Sequence, residues 1–293
     1  MSEPTMIQVA GDGVTINLAH WEGDGKPVLA IHGITANCRC WDLLANALTP
    51  DVDVYAMDLR GRGHSDKPDS GYSLDHHVND ILGIMKSLNL ETLSLVGHSL
   101  GAFITLVFAA RHPDMVDRIV LVDGGGDLSQ EQFDDVFKGI KPAFDRLTMT
   151  FPDAEAYLAK MKSAPYMQPW NETIEAYYRY EIEQCPEGVR TNIALEHIQE
   201  EAANVRKVDC RPFYSQVTCK TLILRANLGL LSQDDILLPP DVIERMMAEI
   251  PDVTRFEVEG TNHYGIVLQP HAGRDQALKS FLTDEKSGNG VTS

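Results

Sequence analysis

Short apolar runs alternate with amphipathic segments along most of the chain. The runs are five to seven residues long, as buried strands are, and they cover residues 27–31, 52–58, 92–96 and 118–123. The segments between them carry apolar side chains at helical spacing and cover residues 41–48, 73–88 and 102–110. Strands that alternate with helices form a mostly parallel sheet with helices on both faces. The pattern therefore predicts an α/β fold.

The two ends of the chain extend this pattern. Residues 6–22 alternate loosely around glycine-containing turns, which predicts two antiparallel strands. The C-terminal elements are, in order, a strand at 220–225, a helix at 240–250, a strand at 255–258 and a helix at 270–282. The polar tail, residues 284–293, is predicted to be disordered.

Residues 128–217 interrupt the alternation, because they contain no convincing strand. Prolines separate amphipathic helical stretches at 131–149, 154–162, 172–184 and 192–205. An inserted helical segment between two strands predicts a cap over the C-terminal edge of the sheet, where open α/β sheets carry their sites. The predicted domains are thus a core of residues 1–127 and 218–283 and a helical cap, or lid, of residues 128–217.

The charge of the chain narrows the choice of partners. It has 25 basic and 43 acidic residues and a formal net charge of −18, which argues against nucleic acid and anionic membrane surfaces. The N-terminus lacks the features of a signal peptide, and no apolar run approaches the ~18 residues of a spanning helix. Five cysteines without a framework spacing indicate reduced thiols and a cytoplasmic protein. We expect a monomer or a homodimer.

The motif Gly-His-Ser-Leu-Gly at residues 97–101 lies between a predicted strand and a predicted apolar helix. A Gly-x-Ser-x-Gly motif in that context is typical of a nucleophile elbow, in which a sharp turn presents the serine above the sheet. The glycines leave room for the strained turn, and the helix N-terminus directs free amides to the same point. We therefore expect Ser99 to be a catalytic nucleophile.

A serine nucleophile needs a histidine base and an acid that orients it, and in elbow enzymes both follow the serine in the chain. Of the histidines after Ser99, only His263 lies in a loop directly after a predicted strand. Asp123, at the tip of the strand after the elbow helix, is the preferred acid. The loop after the strand at 220–225 offers Asp234 and Asp235 as the alternatives.

The oxyanion formed by attack on a carbonyl needs two backbone amides near the serine. The amide of Leu100 directly follows the nucleophile, and the amide of Ile34 follows the His32-Gly33 pair after an early strand. We expect these two amides to form an oxyanion hole. His32 either orients that loop or is a plain buried histidine.

Three further features resemble parts of a phosphate or metal site, but each lacks something that such a site needs. The Arg-Gly-Arg-Gly segment at 60–63 lacks the lysine and hydroxyl of a phosphate-binding loop. The neighbours His76 and His77 face different ways on a helix, and the pair Cys38 and Cys40 has no second pair to complete a zinc site. We predict neither a cofactor nor a metal ion.

Taken together, these motifs resemble the α/β-hydrolase superfamily. The matching segments are His-Gly at 32–33, Asp-Leu-Arg-Gly-Arg-Gly-His-Ser at 58–65, the elbow at 97–101 and Asn-His at 262–263. The resemblance covers residues 7–283 apart from the cap, and it implies an eight-stranded, mostly parallel sheet with a lid inserted after the sixth strand. Ser99 stands where the haloalkane dehalogenases and epoxide hydrolases of this fold have an aspartate, so neither activity is expected. Gly229 stands near the family's usual acid position, which supports Asp123, a position that some capped relatives use.

The predicted function is a serine hydrolase that cleaves a small, mostly apolar carboxylic ester or lactone. Ser99 forms an acyl-enzyme, His263 is the general base, and the amides of Ile34 and Leu100 hold the oxyanion. Other activities of the same fold stay open: carbon–carbon bond hydrolysis, thioester hydrolysis, perhydrolysis, and slow-turnover reception of a small molecule.

Overall fold

A computed structural model describes residues 2–230 and 235–283. The strands of this part of the chain are β1 (Thr5–Ala10), β2 (Thr15–Trp21), β3 (Pro27–Ile31), β4 (Asp53–Met57), β5 (Leu93–His98), β6 (Val116–Val122), β7 (Ile182–Cys185), β8 (Gly188–Thr191), β9 (Lys220–Ala226) and β10 (Val253–Val258).

The main sheet has eight strands in the order β1-β2-β4-β3-β5-β6-β9-β10. Six neighbouring strands of this sheet run parallel, namely β4, β3, β5, β6, β9 and β10. Strand β2 pairs antiparallel with both β1 and β4. The eight-stranded, mostly parallel sheet and the antiparallel N-terminal pair are as the sequence predicts. The strand order reverses beside β3 and β5, which is where open α/β sheets place their sites.

The helices in the described residues are α1 (Asp42–Leu48), α2 (Leu74–Ser87), α3 (Leu100–Arg111), α4 (Gln130–Gly139), α5 (Lys141–Asp145), α6 (Ala154–Lys162), α7 (Glu172–Tyr180), α8 (Leu195–Val205), α9 (Arg211–Tyr214), α10 (Pro240–Glu249), α11 (Gly265–Leu268) and α12 (Ala272–Thr283).

Both faces of the sheet are apolar, because its central strands are buried on two sides. Side chains that alternate along β5 point to opposite faces: Leu95 packs in a cluster with α2, α3 and α10, and Val96 packs in a cluster with α1 and α12. Helix α3 is buried from Leu100 to Ala110. The strand and the helix that flank Ser99 are therefore almost completely buried.

Residues 128–217, called the inserted segment below, lie between β6 and β9. The segment is mostly helical, but the expectation that it contains no strand is wrong: β7 and β8 form an antiparallel hairpin. The helix predicted at 172–184 ends at Tyr180, before this hairpin. The helix predicted at 131–149 breaks near Ile140, because Pro142 lacks the amide that would continue it.

Within the described residues, no helix is long and apolar enough to cross a membrane. The tail at 284–293, predicted to be disordered, lies outside the described residues.

Candidate active site

Ser99 occupies a strained turn between β5 and α3. Its backbone has φ +55° and ψ −117°, in the left-handed region that side chains rarely adopt. The turn requires glycine at position 97, because a Cβ there would lie 2.1 Å from the carbonyl oxygen of Gly101. The Ser99 amide donates to the carbonyl of Val122 at 3.0 Å, which ties the turn to β6. This is the local geometry of a nucleophile elbow.

Asp123 and His263 meet beside this turn. Asp123 follows β6 and His263 follows β10, and the distance between Asp123 Oδ2 and His263 Nδ1 is 2.7 Å. Both side chains are buried. Asp123 Oδ1 accepts a hydrogen bond from the Ala226 amide at 3.2 Å, which fixes the second carboxylate oxygen. A carboxylate at Nδ1 leaves Nε2 as the ring nitrogen that can accept a proton.

The alternative acids are placed differently. Asp235 Oδ1 accepts a hydrogen bond from the Leu230 amide at 2.7 Å, within its own loop. Asp234 lies outside the described residues. Of the candidates that are described, the structure brings Asp123 to His263.

The other histidines after Ser99 have contacts of their own. His112 lies against Phe108 at the end of α3, and His197 stacks on Tyr72. His271 precedes the last helix, rather than lying on it, and its Nδ1 accepts a hydrogen bond from the Arg274 amide. The contacts of these three histidines therefore leave His263 as the candidate base.

The two predicted oxyanion-hole amides lie on either side of Ser99. Leu100 is the first residue of α3, where helix amides have no acceptor within the helix. Ile34 lies in a turn closed by a 3.1 Å hydrogen bond from the Ala36 amide to the Gly33 carbonyl. A Cβ on Gly33 would lie 3.2 Å from the Cβ of Ser99, so this turn directly adjoins the serine.

Two buried histidines support the site in their neutral form. His32 Nδ1 donates to the Gly33 carbonyl at 2.7 Å, and its Nε2 accepts from the Leu59 amide at 3.0 Å. Burial lowers the pKa of His32 to about 4. His98 Nε2 donates to the backbone carbonyl of His263 at 2.9 Å, and burial together with the nearby His263 ring holds the pKa of His98 well below its usual value. His32 therefore orients the loop of Ile34, the functional one of its two interpretations.

Two cavities meet at Ser99. The first has a volume of about 60 Å³ and lies between the elbow and the inserted segment; its apolar lining includes Leu100, Phe103, Phe133, Phe137, Leu237 and Leu238. The second, of about 30 Å³, is lined by Ser99, His263, Thr35, Tyr177 and Tyr264 among others. Among the residues that the structure describes, neither cavity is lined by a lysine or an arginine.

Sequence reasoning missed two buried arginines beside the turn of residues 33–36, called the oxyanion turn below after its predicted role. Arg62 Nε donates to the Ile34 carbonyl at 3.0 Å, and an Arg146 nitrogen donates to the Thr35 carbonyl at 2.7 Å. The signal that was available is Glu201, which falls on the same face of α8 as Ile198 and Val205. A carboxylate in a buried stripe requires a buried cationic partner.

The histidine and cysteine pairs that were considered above as metal ligands are buried or contact other protein groups. His77 pairs with Glu201, whereas His76 Nδ1 contacts the Ser73 hydroxyl. Cys38 and Cys40 are free and buried. Within residues 2–230 and 235–283, no group of three histidine, cysteine or acidic side chains is placed to hold a metal ion.

Comparison with known proteins agrees with this architecture. A family model described as the alpha/beta hydrolase fold matches residues 26–270. The chain is 29% identical to 2-(acetamidomethylene)succinate hydrolase of Mesorhizobium japonicum over 279 residues, 92% of each protein. It is 34% identical to N-formylmaleamate deformylase of Pseudomonas putida over 116 residues, which are 39% of this chain and 43% of that protein.

The crystal structure of E-2-(acetamidomethylene)succinate hydrolase superposes on this structure with a TM-score of 0.82 and 25% identity. The match covers 96% of this chain and 100% of the other. The family match spans most of the chain, including the elbow and the loop of His263. The chain is therefore a hydrolase and belongs to the α/β hydrolase family.

Proposed function

We propose that this protein is a serine hydrolase that cleaves small apolar carboxylic esters or lactones through an acyl-enzyme on Ser99. The observation that carries the proposal is the position of Ser99, at a strained elbow where two cavities meet whose described lining contains no lysine or arginine. The pair of Asp123 and His263 supplies the base that a serine nucleophile requires.

In the first step, the Ser99 hydroxyl attacks the substrate carbonyl while His263 Nε2 takes its proton. The oxyanion that forms is held by the amides of Ile34 and Leu100. Asp123 stabilises the imidazolium that results. The proton then passes from His263 to the leaving alcohol oxygen, the carbon–oxygen bond breaks, and the acyl group stays on Ser99.

In the second step, His263 takes a proton from water, and the hydroxide attacks the acyl-enzyme. Collapse of this second oxyanion releases the acid and returns the proton to Ser99. His263 lines only the second cavity, so the leaving group and the attacking water belong there. The acyl group then occupies the first, more apolar cavity.

The lining of the cavities favours an uncharged substrate. Moving a carboxylate from water into an apolar cavity without a cationic partner costs on the order of several kcal/mol of hydration free energy. The volumes of about 60 and 30 Å³ favour a short acyl chain. We propose that the inserted segment is the cap that sets these dimensions, since Phe133 and Phe137 of α4 line the first cavity.

A second candidate is hydrolysis of an activated amide or related carbonyl compound. The names of the relatives favour it, because they are a 2-(acetamidomethylene)succinate hydrolase and an N-formylmaleamate deformylase. Both names describe carboxylate-bearing substrates. The absence of lysine and arginine from the described lining of the cavities favours the uncharged ester or lactone.

Mass spectrometry with a fluorophosphonate probe tests the proposed nucleophile. Incubation should add one adduct to the wild-type protein and none to Ser99→Ala, which should also lose ester hydrolysis by about 10⁴-fold or more. Ser94→Ala is the matched control, because Ser94 lies at the other end of β5 and should leave labelling intact.

A substrate panel then separates the two candidates. Short-chain p-nitrophenyl esters and γ-lactones should be hydrolysed with higher kcat/KM than 2-(acetamidomethylene)succinate. A preference for the dicarboxylate would contradict the proposed substrate class. Labelling that persists in folded Ser99→Ala would place the nucleophile elsewhere.

The cytoplasmic location stays a prediction of the sequence.

A further inference from the structure

The oxyanion turn is fixed at three successive carbonyl groups. The Gly33 carbonyl accepts from His32 Nδ1 and from the Ala36 amide, at 2.7 and 3.1 Å. The Ile34 carbonyl accepts from Arg62, and the Thr35 carbonyl accepts from Arg146. Because a peptide unit is planar and trans, the Gly33 carbonyl sets the direction of the Ile34 amide. The carbonyls held by Arg62 and Arg146 set the directions of the next two amides, so the arginines fix Ile34 from its C-terminal side.

Arg62 belongs to the core and Arg146 to the inserted segment, and each is paired with a glutamate of that segment. Arg62 lies 3.1 Å from Glu201 Oε2 on α8, and Arg146 lies 3.1 Å from Glu181 Oε1, directly after α7. The four side chains are at most 5% exposed. The pair of Arg62 and Glu201 therefore joins the core to the inserted segment. The pair of Arg146 and Glu181 lies within the segment and holds the arginine that reaches the Thr35 carbonyl.

Additional contacts hold the two glutamates in place. His77 of α2 contacts the same oxygen of Glu201 at 2.7 Å, and Tyr157 donates to Glu181. Burial alone would raise the pKa of Glu201, but His77 and Arg62 lower it to about 2, so this glutamate is ionised at neutral pH. A buried guanidinium that loses its carboxylate is strongly destabilised in place. We therefore expect loss of either glutamate to displace its arginine from the turn.

We propose that Arg62 and Arg146 are positioning residues of the oxyanion hole, and that Glu201 and Glu181 make this hole depend on docking of the inserted segment. The inference rests on the proposed function, because it assigns a role to the Ile34 amide in the same reaction. Seating the segment then both encloses the substrate and orients the amide that stabilises the transition state.

The chain offers a matched pair of variants on α8. Glu201→Gln removes the charge that holds Arg62. Glu200→Gln makes the same chemical change one residue earlier, at a side chain that accepts the amides of Gly71 and Tyr72, away from the oxyanion turn. Both glutamates join α8 to the core, so a role in docking alone would make the two variants similar.

The readouts are kcat and KM for p-nitrophenyl butyrate, inhibition by butylboronic acid, and the thermal unfolding midpoint. The Ser99 oxygen adds to boron while its proton passes to His263, and this tetrahedral adduct places an oxygen in the oxyanion hole. We expect Glu201→Gln to lower kcat about tenfold, less than the loss of a whole donor, with KM within about twofold. Boronate inhibition should weaken by a similar factor, whereas Glu200→Gln should change each value by about twofold at most.

A folded Glu201→Gln variant with wild-type kcat and boronate inhibition would overturn the inference, as would equal losses in the two variants. If Glu201→Gln does not fold, Arg62→Lys tests the same contact, because lysine keeps the charge but lacks the planar fork that spans Ile34, Arg60 and Glu201. Unchanged kcat in that variant would also overturn it. A wild-type protein that neither hydrolyses the ester nor takes up the fluorophosphonate would contradict the proposed function instead.

Discussion

The sheet and the inserted segment are held in place by different kinds of interaction. The sheet is buried between two apolar clusters, which include Leu95 on one face and Val96 on the other. The inserted segment meets the core through buried polar contacts as well: Glu201 with Arg62, Arg146 with Thr35, and the Tyr180 hydroxyl with Asp58.

The difference matters because the two interactions respond differently to displacement. Hydrophobic burial is non-directional and roughly proportional to area, so a small shift costs little. A buried ion pair or charged hydrogen bond depends on distance and direction, and breaking it leaves a charge without a partner. The polar contacts of the inserted segment therefore specify its position on the core more sharply than apolar burial alone would.

The largest expected effect concerns two carboxylates of the core, one at the tip of a sheet strand and one in a loop that contacts the inserted segment. Asp123, at the tip of β6, holds His263, whereas Asp235 bonds within its loop and lies beside Gly139 of α4. We expect Asp123→Asn to lower kcat by about 10⁴-fold, because the amide can donate to Nδ1 and favours the wrong tautomer. Asp235→Asn should lower kcat by less than about tenfold.

Steady-state kinetics of the two variants on one ester, with circular dichroism to verify folding, provides this measurement. The opposite ranking would assign the acid to the loop after β9 and would make the contact between Asp123 and His263 structural.

Truncation of a buried isoleucine in each region compares their packing. Ile119 of β6 and Ile198 of α8 are both fully buried, but Ile198 belongs to a small cluster with Leu147 and Ile193. Ile119→Ala should lower the free energy of unfolding by about 4 kcal/mol, and Ile198→Ala by about 2 kcal/mol, because a small cluster relaxes more readily around a cavity.

Urea unfolding gives these two free energies, and hydrogen exchange locates the effect. Ile198→Ala should speed exchange mainly in α8, whereas Ile119→Ala should lower the protection of the whole sheet. Equal costs and uniform exchange would show that the two regions unfold as one unit.

His32 provides a pH test of the oxyanion turn. Its pKa is about 4 in the folded protein against 6.5 for a free histidine, so the unfolded state binds more protons between these values. The contribution of neutral His32 is complete above pH 6.5 and is lost as the pH falls to 4. From the size of the shift, the wild type should lose about 3 kcal/mol over this range that His32→Gln does not.

Urea unfolding of both proteins at pH 7 and pH 4 measures this difference, and other titrating groups cancel between them. Equal losses would show that protonation of His32 does not oppose folding.

Much of the fold follows from local patterns in the sequence. The apolar runs predict the strands of the main sheet, since a strand buried on both faces needs apolar side chains at every position. Ser99 is predictable because its motif is a local pattern. His263 is predictable because it lies in a loop directly after a predicted strand. The choice between Asp123 and the later aspartates is not local, because it depends on which strand tip lies beside His263.

The hairpin and the buried ion pairs could not be predicted in the same way. Each hairpin strand has only four residues, and Glu183, Gln184 and Arg190 give it no apolar alternation. The contact of Arg62 with Glu201 joins residues that are far apart in the chain, so no local pattern specifies it. In the sequence, Arg62 belongs only to a segment that lacks the residues of a phosphate-binding loop.

The elbow separates the position of the reacting atom from its chemical nature. The glycine packing and the 3.0 Å bond from the Ser99 amide to Val122 are made by the main chain, so they do not depend on the hydroxyl group. A thiol or a carboxylate on the same α-carbon would emerge at the same point above the sheet. A change of one codon would therefore alter the reacting group in this scaffold and leave the cavities, the proposed base and the proposed oxyanion amides in place.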